Sequence, residues 1–544
     1  MADEHRKRGV SRRGVLRAGA VVGAATAIGG GIAGEAAAAG RPPEGGSGRI
    51  LLTNGKIHTM DPSNSVVSSV AIENGRFVRV GPGAGPGESP VQIINLRGRT
   101  VIPGLIDGHT HLVLVGNRPG HHVLLEDVFT IDGVIERYQA RSAEVPPGEW
   151  ITTIGPIAAQ QFPENRLPVL SELDAIDRPV YIQAAQGGTR TNSLGKALLE
   201  AQGVVVAADG VIGGGATGSS LSLRLLREQL LTDETRKRTA LGAMQYYAGL
   251  GLTTHLDSGA FHSELPSGGI ANENTYTMHN PFLALDREGK LPARLRINFL
   301  HQDPANDPTL PTLAPRLRNS FPFFGNDMLR TGGIGEFTGG GLDGLRAIAR
   351  AGWRAEDHAL SLGALTNHIV NREIVNAEIP IGGLRWVLSH VPQLTEDLLN
   401  RWHALGGGLF VGWGPTRTGT NVGPPYRTIL DHGIRVGYHA DGGDITVINP
   451  WLNFYTMTTG RNLAGAHILG DQMISRQEVL WLATAANKWF IGEDDLGSIE
   501  VGNHADLVVL DRDYFAVPDE EIKQIRSVLT LVGGTVVHDS GELG

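Results

Sequence analysis

The period of hydrophobic and polar positions changes along the chain. Near its start, β-rich runs cover residues 50–53, 66–72 and 76–80. The turn sequences Asn54-Gly55 and Asn74-Gly75 separate them, so this region predicts short strands joined by tight turns. These strands would need a partner sheet to cover them.

A matching set of β-rich runs lies at the far end of the chain. Residues 505–510, 528–532 and 535–537 are apolar and β-branched, with Gly533-Gly534 between the last two runs. We interpret the two ends as one small β-sandwich built from both termini.

The long middle part alternates short apolar runs with amphipathic stretches such as residues 233–249 and 395–405. Repeated strand–helix alternation over a few hundred residues predicts an α/β fold, a (β/α)8 TIM-like barrel. The predicted domains are a composite sandwich over 40–102 and 490–544, and a barrel over 103–489. Catalytic residues of such barrels lie at the carboxyl ends of the strands.

Composition narrows the chemistry. The 544 residues are 41% hydrophobic and 19% charged, which is typical of a folded protein, and the net charge of -9 argues against a nucleic-acid partner. The chain has no cysteine, so a metal would have to be held by His, Asp or Glu.

The first residues read as a leader, residues 1–39. Arg12 and Arg13 stand before a weakly apolar Ala/Gly-rich stretch that ends in small residues, and this resembles a twin-arginine export signal. We therefore expect the twin-arginine export machinery as a partner and a periplasmic or secreted location. The alternative, a membrane anchor, is disfavoured because the stretch is short and interrupted by glycine.

The strongest chemical signal is the segment over residues 101–111. Pro103-Gly104 breaks the chain out of the sandwich, a buried strand follows, and His109 and His111 come two residues apart. On a strand, positions two apart share a face, so both imidazoles can chelate one divalent ion.

With this motif the sequence resembles the amidohydrolase superfamily, in its amidohydrolase-3-like branch of N-acyl and imide hydrolases. Residues 54–57, the Pro-Gly-Leu-Ile-Asp entry at 103–107 and the closing segment 497–510 carry the resemblance, which covers nearly all of the mature chain. It implies hydrolysis of non-peptide carbon–nitrogen bonds with one or two divalent metals per chain, Zn²⁺ in first place.

The resemblance also implies further metal ligands at later strand ends. These are His358 on the fifth strand, His390 on the sixth and Asp441 on the eighth. Many relatives carry a carboxylated lysine on the fourth strand, but here residues 331–337 contain Glu336 instead. A carboxylate can bridge two cations, so Glu336 is the expected bridge; the alternative is one metal with Glu336 outside the ligand set.

Three more residues carry weaker expectations. His255 ends a predicted third strand and could bind substrate or orient a ligand, and Trp413 could line the pocket from the seventh strand. His439 adjoins Asp441, and we expect it to face the opposite side of the strand with a structural role.

The expected mechanism uses a metal-activated hydroxide, with Asp441 as general base and then general acid. The substrate is a small molecule: an amide, a cyclic imide or an N-acyl compound. A mononuclear deaminase-type hydrolase is the alternative. A non-enzymatic barrel or a periplasmic binding protein would not need these strand-end ligands. Relatives are often dimers or tetramers, which makes a homo-oligomer a further expectation, and we expect no stable membrane insertion.

Overall fold

The computed structural model describes residues 49–82, 91–186, 188–213, 221–260, 276–412, 414–419, 422–443 and 446–543. The expected leader and Trp413 lie outside these ranges. Within them, no helix is both long enough and apolar enough for a membrane crossing.

The described strands and helices alternate along most of the chain. The strands are β1 (Arg49–Thr53), β2 (Lys56–His58), β3 (Val66–Val67), β4 (Val70–Glu73), β5 (Arg76–Val80), β6 (Val91–Asn95), β7 (Thr100–Pro103), β8 (Leu105–Thr110), β9 (His121–His122), β10 (Ile151–Ala158), β11 (Val180–Gln186), β12 (Thr189–Thr191), β13 (Val211–Ile212), β14 (Leu252–Asp257), β15 (Arg294–Phe299), β16 (Leu329–Ile334), β17 (Glu356–His358), β18 (Val387–Ser389), β19 (Gly408–Gly412), β20 (Arg435–His439), β21 (Leu507–Leu510), β22 (Ser527–Val532) and β23 (Thr535–Asp539).

The helices are α1 (Leu112–Gly116), α2 (Ile131–Ser142), α3 (Leu170–Leu173), α4 (Ser193–Glu200), α5 (Leu221–Leu230), α6 (Asp233–Ala248), α7 (Asn280–Arg287), α8 (Leu313–Asn319), α9 (Gly341–Arg350), α10 (Leu362–Glu378), α11 (Glu396–Ala404), α12 (Tyr426–His432), α13 (Pro450–Thr459), α14 (Arg476–Leu482) and α15 (Asn487–Ile491). Short 3-10 helices cover Ala159–Gln161 and Asp519–Gln524.

The two helices predicted at 233–249 and 395–405 are confirmed as α6 and α11. Both begin at a threonine: the Thr232 hydroxyl accepts the Thr235 N–H at 3.0 Å, and the Thr395 hydroxyl accepts the Leu398 N–H at 3.3 Å. These caps satisfy donors that the first turn of a helix leaves open, so the sequence fixes where both helices start.

Strands from both chain ends share a six-stranded sheet in the order β23-β22-β21-β7-β2-β3. The ends meet at β7, which pairs in parallel with β2 and antiparallel with β21. A four-stranded sheet, β5-β4-β1-β6, comes from the N-terminal segment alone. One apolar cluster contains Leu52 and Phe77 from this sheet and Leu507 and Leu531 from the six-stranded one. The prediction that the C-terminal strands partner the N-terminal ones is confirmed.

The run predicted as one strand over 66–72 is divided into β3 and β4, which belong to different sheets. The chain passes from one sheet to the other at Ser68 and Ser69. The Ser68 carbonyl accepts the Gly55 N–H at 3.1 Å, and the Ser69 carbonyl accepts the Gly81 N–H at 2.9 Å. The two hydrogen bonds go to different segments of the chain, one at Gly55 and one at Gly81, so a single strand does not continue through the two serines.

Eight parallel strands form two sheets, in the orders β16-β15-β14-β8 and β17-β18-β19-β20. A single bridge links Ile334 to Ala355 at one pair of edges. Near the other two edge strands, β20 and β8, the Asp441 N–H donates to the His109 carbonyl at 3.0 Å. The described residues form no closed ladder, so the observed architecture is a mixed α/β fold with two parallel sheets. Because the strands of each sheet run parallel, their carboxyl ends all lie on the same side of that sheet.

The strand that carries His255, expected to be third, is the second in this order because β14 pairs directly with β8. The strands that precede it in the sequence, β9 to β13, form a separate five-stranded sheet instead.

Candidate metal centre

The six metal ligands expected from the sequence all lie at or just beyond the carboxyl ends of parallel strands. His109 is in β8 and His111 follows it; Glu336 follows β16, His358 ends β17, His390 follows β18 and Asp441 follows β20. The two sheets bring them into two groups that share Glu336.

The first group contains His109, His111, Glu336 and Asp441, all buried. Glu336 Oε2 lies 2.8 Å from His109 Nε2 and 3.1 Å from His111 Nε2. Asp441 Oδ1 lies 3.3 Å from each of the same two nitrogens. Two imidazole nitrogens and two carboxylate oxygens converge on one point, which is a donor set that suits Zn²⁺ and similar divalent ions.

The second group contains Glu336, His358 and His390. Its link to the first is the other carboxylate oxygen of Glu336: Oε1 lies 3.5 Å from His358 Nδ1, whereas Oε2 faces His109 and His111. In each group the ligand atoms lie within 4.8 Å of one another. The residues therefore fit one divalent metal in the first group and could hold another in the second.

Both histidines of the H-x-H motif have their Nδ1 atoms occupied by acceptors. His109 Nδ1 lies 2.5 Å from Glu356 Oε1, and His111 Nδ1 lies 2.7 Å from the Gly259 carbonyl oxygen. An ionised carboxylate and a carbonyl can only accept, so each Nδ1 carries the proton. Once its Nε2 proton is lost to a bound cation, each imidazole would present the Nε2 lone pair to the centre of the first group.

Glu356 was missed in the sequence, where only His358 of the same strand is singled out. Its Oε2 accepts Arg354 Nη2 at 2.8 Å and Asn298 Nδ2 at 2.9 Å, and all three side chains are fully buried. A usable signal existed: residues 356–358 of β17 are all charged or polar, although apolar side chains are the rule in parallel strands.

The charges within the first group strongly shift the pKa values of its side chains. Burial acts to lower the pKa of His109 and of His111, but the surrounding carboxylates outweigh it and hold both pKa values well above the usual range. Burial acts to raise the pKa of Glu336 and of Asp441, but the facing imidazoles hold both well below the usual range. The carboxylates are therefore ionised at neutral pH and available to a cation.

His390 has a different environment. Burial lowers its pKa to about 4, with the Asp441 carboxylate acting in the opposite direction. Its Nδ1 lies 3.9 Å from Asp441 Oδ2. A neutral imidazole is the form that binds a metal, so this shift suits the ligand role that the sequence predicts.

His439 does not face away from the site, and the expectation that it would was wrong. Its ring centre lies 5.2 Å from that of His109 and 4.9 Å from that of His390. It is two residues before Asp441, and positions two apart on a strand share a face. His439 therefore packs beneath the ligands.

His255 lies apart from both metal-capable groups. It is fully buried, and its ring meets Tyr247 of α6 at 6.0 Å between centres. Within the described residues neither ring nitrogen has a hydrogen-bond partner. Its predicted part in substrate binding stays a prediction, and the one for Trp413 falls outside the described residues.

This fold and this buried His/His/Glu/Asp group define a metal-dependent hydrolase. The sequence model of the amidohydrolase family matches residues 92–538, and the chain belongs to this family. It is accordingly a hydrolase that acts on carbon–nitrogen bonds, takes a small-molecule substrate and binds a divalent metal.

The chain is also similar to individual proteins, one curated relative and two solved structures that share its fold. The chain is 24% identical to an N-substituted formamide deformylase of Arthrobacter pascens, over 90% of this chain and 98% of that protein. Among solved structures, an uncharacterised metal-dependent hydrolase of Pyrococcus furiosus has a TM-score of 0.56 at 19% identity, over 86% of this chain and all of that one. An atrazine chlorohydrolase of Arthrobacter aurescens, solved with zinc, has a TM-score of 0.55 at 16% identity, over 90% and 95%.

Proposed function

We propose that this chain is a two-metal hydrolase of amides, cyclic imides or N-acyl compounds, with Glu336 as the bridge between its metals. The observation that supports this is the direction of the two Glu336 oxygens, one toward His109 and His111 and the other toward His358. An unmodified carboxylate in this position would replace the carboxylated lysine that many relatives use.

A divalent ion held by these residues would lower the pKa of water to about 7 and so supply a nucleophile at neutral pH. Asp441 is placed to take the proton of that water and to deliver it to the leaving nitrogen, as base and then acid. His109 and His111 would hold the first metal through Nε2. His358, whose side chain is about a quarter exposed, lies nearest to solvent.

N-substituted formamides head the list of candidate substrates. The deformylase relative aligns over nearly the full length of both chains, which makes its substrate class the first to test. The alternative, a mononuclear deaminase-type hydrolase, would require Glu336 to hold no second metal.

The test is a substrate panel with the zinc-loaded mature enzyme: an N-substituted formamide, a hydantoin, an N-acyl amino acid and an aminotriazine. The proposal expects an acid and an amine in equal amounts from the formamide or the N-acyl amino acid, or a single ring-opened N-carbamoyl amino acid from the hydantoin. Activity should be lost to a chelator and restored by zinc. Ammonia release from the aminotriazine alone would favour the deaminase alternative and contradict the proposal.

The finer architecture and the location belong to the same proposal. The two parallel sheets would make a (β/α)8 barrel over 103–489. The four-stranded sheet and the six-stranded sheet would make a β-sandwich over 40–102 and 490–544. Residues 1–39 would direct export through the twin-arginine pathway to the periplasm or medium. Replacing Arg12 and Arg13 by lysine should trap the precursor inside the cell, whereas unchanged export would contradict a twin-arginine route.

A further inference from the structure

The clearest arrangement that the proposed mechanism does not use is the buried group of Glu356, Arg354 and Asn298 behind His109. All three side chains and His109 itself are fully buried. Arg354 Nη1 also donates to Asn298 Oδ1 at 3.1 Å, so the arginine and the amide hold each other as well as the carboxylate.

We propose that Glu356 is a positioning residue that sets the tautomer and the direction of the His109 ring, and that Arg354 and Asn298 hold Glu356 in place for this. The carboxylate has two different sides. Oε1 accepts the Nδ1–H of His109, and Oε2 accepts from Arg354 and Asn298. Glu356 contacts a predicted metal ligand and belongs to neither metal-capable group.

The two histidines of the H-x-H motif show why this partner matters. The Nδ1–H of His111 donates a hydrogen bond to the carbonyl oxygen of Gly259, which the backbone holds in place. The Nδ1–H of His109 donates to a side chain instead, and that side chain could turn away unless other groups held it. The two donors on Oε2 supply that restraint, and partners of metal-bound histidines typically change metal affinity by about 10- to 100-fold when replaced.

The geometry also predicts what an amide would do at position 356. In Glu356→Gln, the oxygen of the amide would take the place of Oε2, because Arg354 and Asn298 both donate there. The amide NH2 would then face His109 Nδ1 and donate to it. The imidazole proton would move to Nε2, the atom that faces the first metal, and block it.

Glu493, just after α15, provides a matched control variant. Glu493 is also a buried carboxylate beside arginines, 2.6 Å from Arg296 Nε and 3.2 Å from Arg330 Nη1, but it contacts no predicted metal ligand. Glu493→Gln therefore removes a buried charge of the same kind without reaching the metal centre.

The experiment measures zinc affinity by competition with a chelator, together with thermal unfolding of the metal-free proteins, for wild type, Glu356→Gln, Glu356→Asp and Glu493→Gln. We expect Glu356→Gln to bind zinc about 10- to 100-fold more weakly. We expect Glu356→Asp to recover part of that loss and Glu493→Gln to match wild type. Both glutamine variants should lower the unfolding temperature of the metal-free protein.

Wild-type affinity in Glu356→Gln, or an equal loss in Glu493→Gln, would overturn the role given to Glu356. The inference rests on the metal site of the proposed function. A wild-type protein that takes up no zinc would remove that site and this inference together, whereas the variant comparison tests the inference alone.

Discussion

The two histidines of the H-x-H motif and His58, which lies where the two chain ends pack together, have opposite pKa shifts. His109 and His111 face the Glu336 and Asp441 carboxylates, and their pKa values lie well above the usual range. His58 of β2 stacks on Phe515 with ring centres 4.1 Å apart, and burial, aided by Lys56, lowers its pKa to about 4.

The difference shows what burial alone does and what requires another cause. Burial by itself lowers the pKa of an imidazole, as at His58. Two carboxylates gathered around two imidazoles carry a large desolvation cost that folding does not need. Such a group indicates a cation that the chain is built to hold.

The buried ion pair between Arg294 and Asp506 extends the contrast. Asp506 accepts Arg294 Nε and Nη2, each at 2.8 Å, and Asp506 Oδ1 also accepts the Gly533 N–H at 2.7 Å. Here one carboxylate meets one cation, so the pair is complete without a metal. It joins β15 to the six-stranded sheet and has a structural role.

The largest effect is expected from Asp441→Asn. It removes the proton carrier while keeping an oxygen ligand, so kcat should fall by about 10²- to 10⁴-fold. Metal content, measured by elemental analysis of the purified variant, should stay close to wild type. If metal and activity are lost together, Asp441 is mainly a ligand and the assigned proton transfer is wrong.

The next largest effect is expected from Asp506→Asn. It leaves the buried Arg294 charge without its partner, and breaking such pairs costs about 3–5 kcal/mol. Denaturant unfolding should show that loss while metal content stays unchanged. As a control, Glu542→Gln breaks the partly exposed pair with Arg99, whose nitrogen and oxygen lie 2.7 Å apart, and should cost at most about 1 kcal/mol. Metal loss in Asp506→Asn would contradict the separation of the two regions.

The smallest effect is a pH dependence at His58. Its folded pKa of about 4 lies below the unfolded value of 6.5. Its contribution to stability is therefore complete above pH 6.5 and is lost as the pH falls toward 4. The free energy of unfolding should decline more steeply over this range in wild type than in His58→Phe. Parallel curves for the two proteins would contradict the pKa shift.

Part of the site could be predicted from a local motif and the rest from the family resemblance. His109 and His111 stand two apart at the end of a buried strand, and the resemblance indicated the later strand ends. The helices over 233–249 and 395–405 were equally predictable, since an amphipathic pattern is local. The mixed α/β character and the pairing of the chain ends followed from the period of apolar positions, and the closed barrel stays a prediction.

The missed or wrong predictions have two causes: contacts between residues distant in sequence, and a wrong use of the two-residue period of a strand. Glu356 reaches His109 across 247 residues, and no local pattern names that partner. His439 was placed on the wrong face although the two-residue rule used for His109 and His111 applied to it as well. The position of β14 next to β8 could not be predicted, because the strands between them in sequence, β9 to β13, form a sheet of their own.

The most direct test of the two-metal account is zinc content per chain in the mature wild-type protein and in Glu336→Ala, measured after the same zinc loading. The account predicts about two equivalents in wild type and one or none in the variant, since Glu336 is the only residue common to both metal-capable groups. A single equivalent that survives the substitution would contradict the bridge and favour a mononuclear centre.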